Sequence, residues 1–280
     1  MALSPNHGGA DSQWTPSSDT QFARPFCARE VAIIERENMK PVPEFLATCQ
    51  VMTFDLGYSL QDKVTQTLAA ADLAWGNWKC RNCGTVHEFR KMPRQCGTGT
   101  CLSTRFDYEE VRALSSFSGI GSGLDLIVDV GKPKFRFIEV KTMAADKFKA
   151  LVAPLGEHKL RTNLSLRNID EWDNKHSDLI NTQEADVMYI SKSAWGCGRA
   201  EIKEWDFRDS AFSPFKVFPI ARDDSLTEDY VQEARKAHLA VVNPEKPLPP
   251  RICPTSFCDR AGKCNAVHKC FGSGLNLSKK

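Results

Sequence analysis

A chain of 280 residues, 41% of them hydrophobic, is long enough to bury a sizeable core and is expected to form one large domain or a domain with an insertion. It has no apolar stretch of bilayer-crossing length and no signal-peptide pattern at its start, so the sequence predicts a soluble, cytoplasmic protein with no membrane partner. A net charge of +2 is too small to announce a nucleic-acid partner by itself, whereas eleven cysteines in a reducing compartment argue against disulfides and for thiolate-bound metals.

Residues 1–22, rich in Ser, Pro, Gly and Asn, read as a flexible arm ahead of a folded region spanning 23–280. Apolar residues three and four apart predict helices over Ala28–Met39 and Leu56–Trp75. Next comes Cys80-x2-Cys83, twelve residues, then Cys96-x4-Cys101. Two close thiolate pairs bridged by a short loop are the pattern of a zinc ribbon, here expected as an insertion over 78–104, with His87 as a substitute ligand. Arg81, Arg90, Lys91 and Arg94 give that ribbon a basic surface suited to nucleic acid; the plainer reading is a purely structural ribbon.

Tyr108–Ser115 is expected as a short polar helix. The segment FSGIGSGLDLIVDVGKPKFRFIEVKTM alternates in the manner of strands on both sides of a Gly-Lys-Pro turn, which predicts a hairpin. Beyond it, Glu157–Trp172 is expected as a helix, Ala185–Ser191 as a buried strand, Glu201–Trp205 and Phe215–Pro219 as edge strands, and Thr227–Val241 as a helix. The run NPEKPLPP at 243–250 forces an extended connection into a cysteine-rich segment, 250–271. Cys49 and Cys197 read as ordinary core cysteines.

If the hairpin turn centres on Lys132, paired residue numbers sum to about 264 and Asp125 faces Glu139. Directly opposed like charges destabilise a sheet, so a cation between the two carboxylates is the natural resolution. Lys141, two residues past Glu139, projects from the same face, where it can orient or deprotonate a water or balance a phosphate. These charges interrupt strands that are otherwise apolar, LDLIVDV and FRFIEV, and therefore need compensation. Asp129 is a competing carboxylate on the same face, but its register partner is Phe135, further from Glu139.

GLDLIV and FIEVKTM resemble the second and third motifs of the PD-(D/E)xK nuclease superfamily, in its RecB-like branch of CRISPR-associated RecB-like and AddB-type exonucleases. The resemblance covers most of residues 24–271. It implies an α/β, restriction-endonuclease-like mixed sheet flanked by helices, and a Mg2+- or Mn2+-dependent deoxyribonuclease, an exonuclease acting on DNA from or near an end. It also implies a catalytic ion held at Asp125, Glu139 and the Val140 position, and a helicase or a recombination or replication factor as partner. Leu56-Gly57-Tyr58-Ser59-Leu60-Gln61 resembles the helical first motif, with Gln61 where the family has His, a weaker metal ligand. EHKLRTNLSL resembles the downstream helix, with Arg161 and Ser165 at the family's Gln and Tyr; Arg161 suits phosphate contact, and His158 and Ser165 share its face.

In that branch one cysteine before the core and three after it hold a [4Fe-4S] cluster that clasps the chain ends. Cys27 resembles the first ligand, and Cys253, Cys264 and Cys270 the preferred other three, with Cys258 competing. The alternative is a second zinc site made by Cys253, Cys258, Cys264 and Cys270, or His268, alone. The Gln61 and Ser165 departures keep open a second function: a catalytically weak or inactive nucleic-acid-binding zinc or iron-sulfur protein.

Overall fold

The computed structural model describes residues 26–39, 48–172, 174–192, 214–262 and 264–272. The expected arm at 1–22, the strand at Glu201–Trp205 and Cys197 lie outside the described residues. No helix among the described residues is long and apolar enough to cross a membrane.

The architecture is α/β, with a mixed central sheet flanked by helices. Helix α1 (Ala28–Arg36) and helix α2 (Thr48–Ala70) precede strands β1 (Ala74–Cys80), β2 (Val86–Lys91), β3 (Phe106–Glu109), β4 (Val111–Leu114), β5 (Gly121–Leu124), β6 (Leu126–Val128) and β7 (Phe135–Met143). Helices α3 (Ala145–Ala150) and α4 (Gly156–Asp170) lead to β8 (Ile180–Ser191) and β9 (Phe215–Ala221), then α5 (Glu228–Val242), α6 (Asp259–Gly262) and α7 (Val267–Phe271). The main sheet runs β2-β1-β6-β7-β8-β9, with β3 also paired to β1. Among the described strands only β7 and β8 pair in parallel, which requires the crossover that α3 and α4 supply.

Strand β7 is buried on both faces, as its near-continuous apolar run demands. Ile138 and Val140 pack in one cluster with Leu60 of α2, Trp78, Leu126 and Ile190. Phe137 packs on the other side with Ile127, Leu166 and Ile169 of α4, and Ile180. The sheet is thus sandwiched between α2 and α4, a three-layer solution that hides both its faces.

Two expectations are corrected. The helix expected to reach Trp75 starts earlier and stops at Ala70, because Asp72 takes a left-handed conformation (φ 63) and Ala74, Trp78 and Cys80 then alternate into the core as a strand. Tyr108–Ser115 is two strands rather than a helix: β3 pairs with β1 and β4 with β5, and alternate residues Val111, Ala113 and Ser115 are buried. Distant ladder partners override the weak local periodicity there.

The two chain ends are stitched together. The Arg36 guanidinium donates to the carbonyls of Ala240, Asn243 and Lys246, at 2.6 to 3.1 Å. Glu30, 6% exposed, accepts from Arg260 (2.8 Å) and from the Asn265 backbone N–H (3.2 Å).

Candidate metal centres

The expected hairpin register holds: Leu126↔Ile138, Ile127↔Phe137 and Val128↔Arg136 all sum to 264. Asp125 sits at the break between β5 and β6, one step beyond this ladder and level with Glu139. It is 6% exposed, and its Oδ2 accepts from the Val140 N–H at 2.8 Å, so a buried carboxylate is aimed at the backbone between Glu139 and Lys141. Glu139 is fully buried, and its Oε1 lies 2.6 Å from Lys141 Nζ and 2.8 Å from Arg161 Nε. Its Oε2 is buried with no hydrogen-bond partner among the described residues.

Burial, then the charges of Glu139 and Glu110, push the Asp125 carboxyl up to about 8. Glu139 goes the other way: against the cost of burial, Lys141 and then Arg161 hold it below the usual carboxylate range. One acid kept neutral beside another kept ionised is what opposed titratable groups in a shared site produce. Asp129, the competing carboxylate, is spent elsewhere, accepting from the Gly131 N–H at 3.0 Å in the turn.

The structure brings Arg161 and His158 of α4 to this centre. The His158 Nδ1 lies 2.8 Å from the Tyr189 hydroxyl, which also accepts from the Leu155 N–H at 3.0 Å, and His158 contributes to holding Glu139 ionised. Ser165, 2% exposed, is one helical turn further along α4. Gln61 is not gathered with them. Helix α2 covers the Ile138 and Val140 face, with Gly57 close against Thr142, so Gln61 is borne on the layer opposite the carboxylates.

Sequence reasoning missed Glu110. Its carboxyl is raised by desolvation and then by the charge of Glu139, and it interacts with Arg161, Arg112 and Lys141. The signal was the β4–β5 register, in which Val111↔Leu124 leads one step on to Glu110 and Asp125. Reading 108–115 as a helix concealed it.

The first cysteine group is assembled. The Sγ atoms of Cys80, Cys83, Cys96 and Cys101 all lie within 4.8 Å of one another, with Cys80–Cys101 at 3.7 Å and Cys83–Cys96 at 3.5 Å. These four cysteines can hold a metal ion. Two glycine turns close the knuckles: Gly84 (φ 73) donates its N–H to Cys80 O, and Gly97 (φ 66) to Cys101 O. The Cys83 backbone N–H, against the cost of burial and with help from that of Asn82, brings the Cys80 thiol down to about 6, toward the thiolate a metal requires. His87 lies beside the group, Nε2 3.4 Å from Cys96 Sγ. Of the basic residues, Arg81 is paired with Asp107 and Lys91 with Asp72, while Arg90 and Arg94 are exposed.

Where helix α1 meets the last cysteine group, Cys27, Cys253, Cys264 and Cys270 line one narrow pocket together with Glu30 and Arg260. Burial pushes the Cys264 thiol up to about 12. Cys258 is not in the lining; its Sγ accepts from the Ala261 N–H at 3.4 Å and it is hydrogen-bonded to Cys253. Among the described residues, the Cys80 group alone has three or more such ligands drawn within 4.8 Å.

Comparison with protein-family models, with curated proteins and with solved structures finds no match to this chain.

Proposed function

We propose that this chain is a metal-dependent deoxyribonuclease of restriction-endonuclease-like fold, hydrolysing DNA phosphodiesters from or near an end. The observation that carries the reading is the opposition of buried Asp125 and Glu139 on adjoining strands, with Lys141 beside Glu139 and the Glu139 Oε2 left without a partner. The likeness of GLDLIV and FIEVKTM to the motifs of the PD-(D/E)xK superfamily supports it. Oxygen ligands from Asp125, Glu139 and the Val140 carbonyl suit a hard divalent ion, Mg2+ or Mn2+. When bound, such an ion polarises a phosphoryl oxygen and lowers the pKa of its water. Lys141 is placed to orient or deprotonate a water, and Arg161 offers a rigid fork of donors for a phosphate oxygen.

The thiolate sites carry different chemistry. With Zn–S near 2.3 Å, a tetrahedral four-thiolate zinc site has sulfurs roughly 3.8 Å apart, which the 3.5 and 3.7 Å separations approach. We assign zinc to Cys80, Cys83, Cys96 and Cys101. Cys27, Cys253, Cys264 and Cys270 share one pocket, and the family resemblance gives these positions to a [4Fe-4S] cluster, so we assign the cluster rather than a second zinc to them, with Arg260, paired to Glu30, beside it. Protein purified without oxygen should be brown and hold iron, acid-labile sulfide and one zinc; colourless protein with two zinc per chain would remove the cluster.

Two observations favour the second reading, a nucleic-acid-binding protein that does not cleave. Arg161 occupies the Glu139 carboxylate at 2.8 Å, and Gln61 lies on the other layer. The two readings separate on labelled single- and double-stranded DNA incubated with Mg2+ or Mn2+, using wild type and Lys141→Ala. Ion-dependent degradation by the wild type alone supports the nuclease; binding without cleavage under either ion defeats it. A helicase or a recombination or replication factor is the partner class such a nuclease would serve.

A further inference from the structure

Resting on the zinc assigned to the four-cysteine group, we infer that His87 holds that zinc from outside the ligand set, donating its Nε2–H to the Cys96 thiolate and so tightening the grip on the metal. His87 Nε2 lies 3.4 Å from Cys96 Sγ, yet His87 stands outside the set of four sulfurs drawn within 4.8 Å of one another. Four thiolates complete a tetrahedral zinc site, which leaves the imidazole a neighbour of one ligand rather than a ligand. A metal-bound thiolate only accepts, so the proton of the pair resides on Nε2.

Burial decides which sulfurs need such a donor. Four thiolates around a doubly charged ion leave excess negative charge on sulfur, and a buried sulfur cannot pass that charge to water. Cys83 is exposed, whereas Cys80, Cys96 and Cys101 are only 1%, 6% and 9% exposed. Cys80 has the backbone N–H groups of Cys83 and Asn82, and Cys101 accepts from the Asn82 side-chain amide at 3.5 Å. Cys96 has Thr98 of its own knuckle and, from across the site, His87. The imidazole is fixed in place by the strands around it. His87 pairs with Trp78 in the β1–β2 ladder, and its ring packs edge-on with buried Phe106 of β3, the centroids 5.6 Å apart at 78°. The hydrogen bond thereby joins a strand of the main sheet to the second knuckle, whose Cys96 and Cys101 lie in the loop between β2 and β3. Outer-shell partners of this kind orient a ligand and stabilise its metal-bound form.

Zinc itself is the probe. Full-length protein purified without oxygen and loaded with zinc is equilibrated against graded EDTA, and retained zinc is counted by metal analysis, the equivalent followed being the one that Cys96→Ser lacks. His87→Phe keeps a ring against Phe106 but has no donor, and should lose zinc to EDTA with an affinity about 10- to 100-fold weaker than wild type. His87→Gln, which restores an amide N–H, should recover most of that loss. Zinc-edge X-ray absorption should give the same sulfur and nitrogen shell in wild type and both variants. Wild-type affinity in His87→Phe overturns the inference, as does a Gln variant no tighter than Phe, which would trace the effect to packing. A nitrogen lost from the zinc shell in His87→Phe would make His87 a ligand and overturn it as well. If Cys96→Ser holds as much zinc as wild type, the zinc assignment itself fails.

Discussion

Asp125 ties the stability of this protein to pH in a direction opposite to that of most carboxylates. Its ordinary ionisation near 3.8 is displaced to about 8 by burial and by Glu139 and Glu110. Between those values the folded chain keeps a proton that the unfolded chain releases. The unfolded state therefore binds fewer protons, and stability falls as pH rises through this window. A displacement of about four units sets a ceiling of roughly 5 to 6 kcal/mol. Water entering on local relaxation reduces this, to an expected 2 to 3 kcal/mol or so. For a chain of this size that corresponds to about 4 to 12 °C in unfolding midpoint. Asp125→Asn removes the titration while keeping an oxygen for the Val140 N–H. Midpoints of zinc-loaded wild type and variant, measured from pH 5 to 8 in buffer free of other divalent ions, should diverge by that amount, the variant being the more stable at pH 8. Thiolate titrations occur in both proteins and cancel. Added Mn2+ should restore the wild type at pH 8 and leave the variant unmoved. A difference between the two that stays constant from pH 5 to 8 would refute the reasoning.

Lys141→Ala should lower DNA cleavage by about 10²- to 10⁴-fold with binding retained, as measured by degradation and by gel shift. Cys96→Ser should lose one equivalent of zinc and its thermal midpoint together, since a structural thiolate site stabilises only when its ligand set is complete; metal analysis and calorimetry read both. Cys264→Ser should empty the cavity at the chain ends, whereas Cys258→Ser should keep its metal, because only the former lines it; unchanged iron in the first variant would overturn the ligand set. Arg36→Ala should cost about 2 kcal/mol in urea unfolding, with less than half recovered by Lys, since one guanidinium serves three carbonyls and an ammonium cannot reproduce its fork.

What the sequence disclosed follows the range of the forces involved. The register of the β6–β7 hairpin was readable because a short turn and strand alternation determine it locally, and both lie within one stretch of chain. Cysteine spacing likewise announced the Cys80 group, whose knuckles are closed by the glycines beside them. Glu110 was hidden because Tyr108, Val111 and Leu114 recur at helical spacing, while the partners that make strands of them, β1 and β5, are remote in sequence or follow a turn. The grip of Arg161 on Glu139 and the placing of Gln61 on the opposite layer depend on which face each helix covers, something no single segment records.

The stitching of the two chain ends also fixes when folding can finish. Arg36 receives its first carbonyl from Ala240, 204 residues later. A ribosome adding about 5 to 20 residues per second needs roughly 10 to 40 s to cover that distance. Throughout that interval Cys27 and helix α1 have been made and their companions have not. Cys27 is therefore made long before the residues 253–270 that bury it, so its shielding is completed only when that segment has been added.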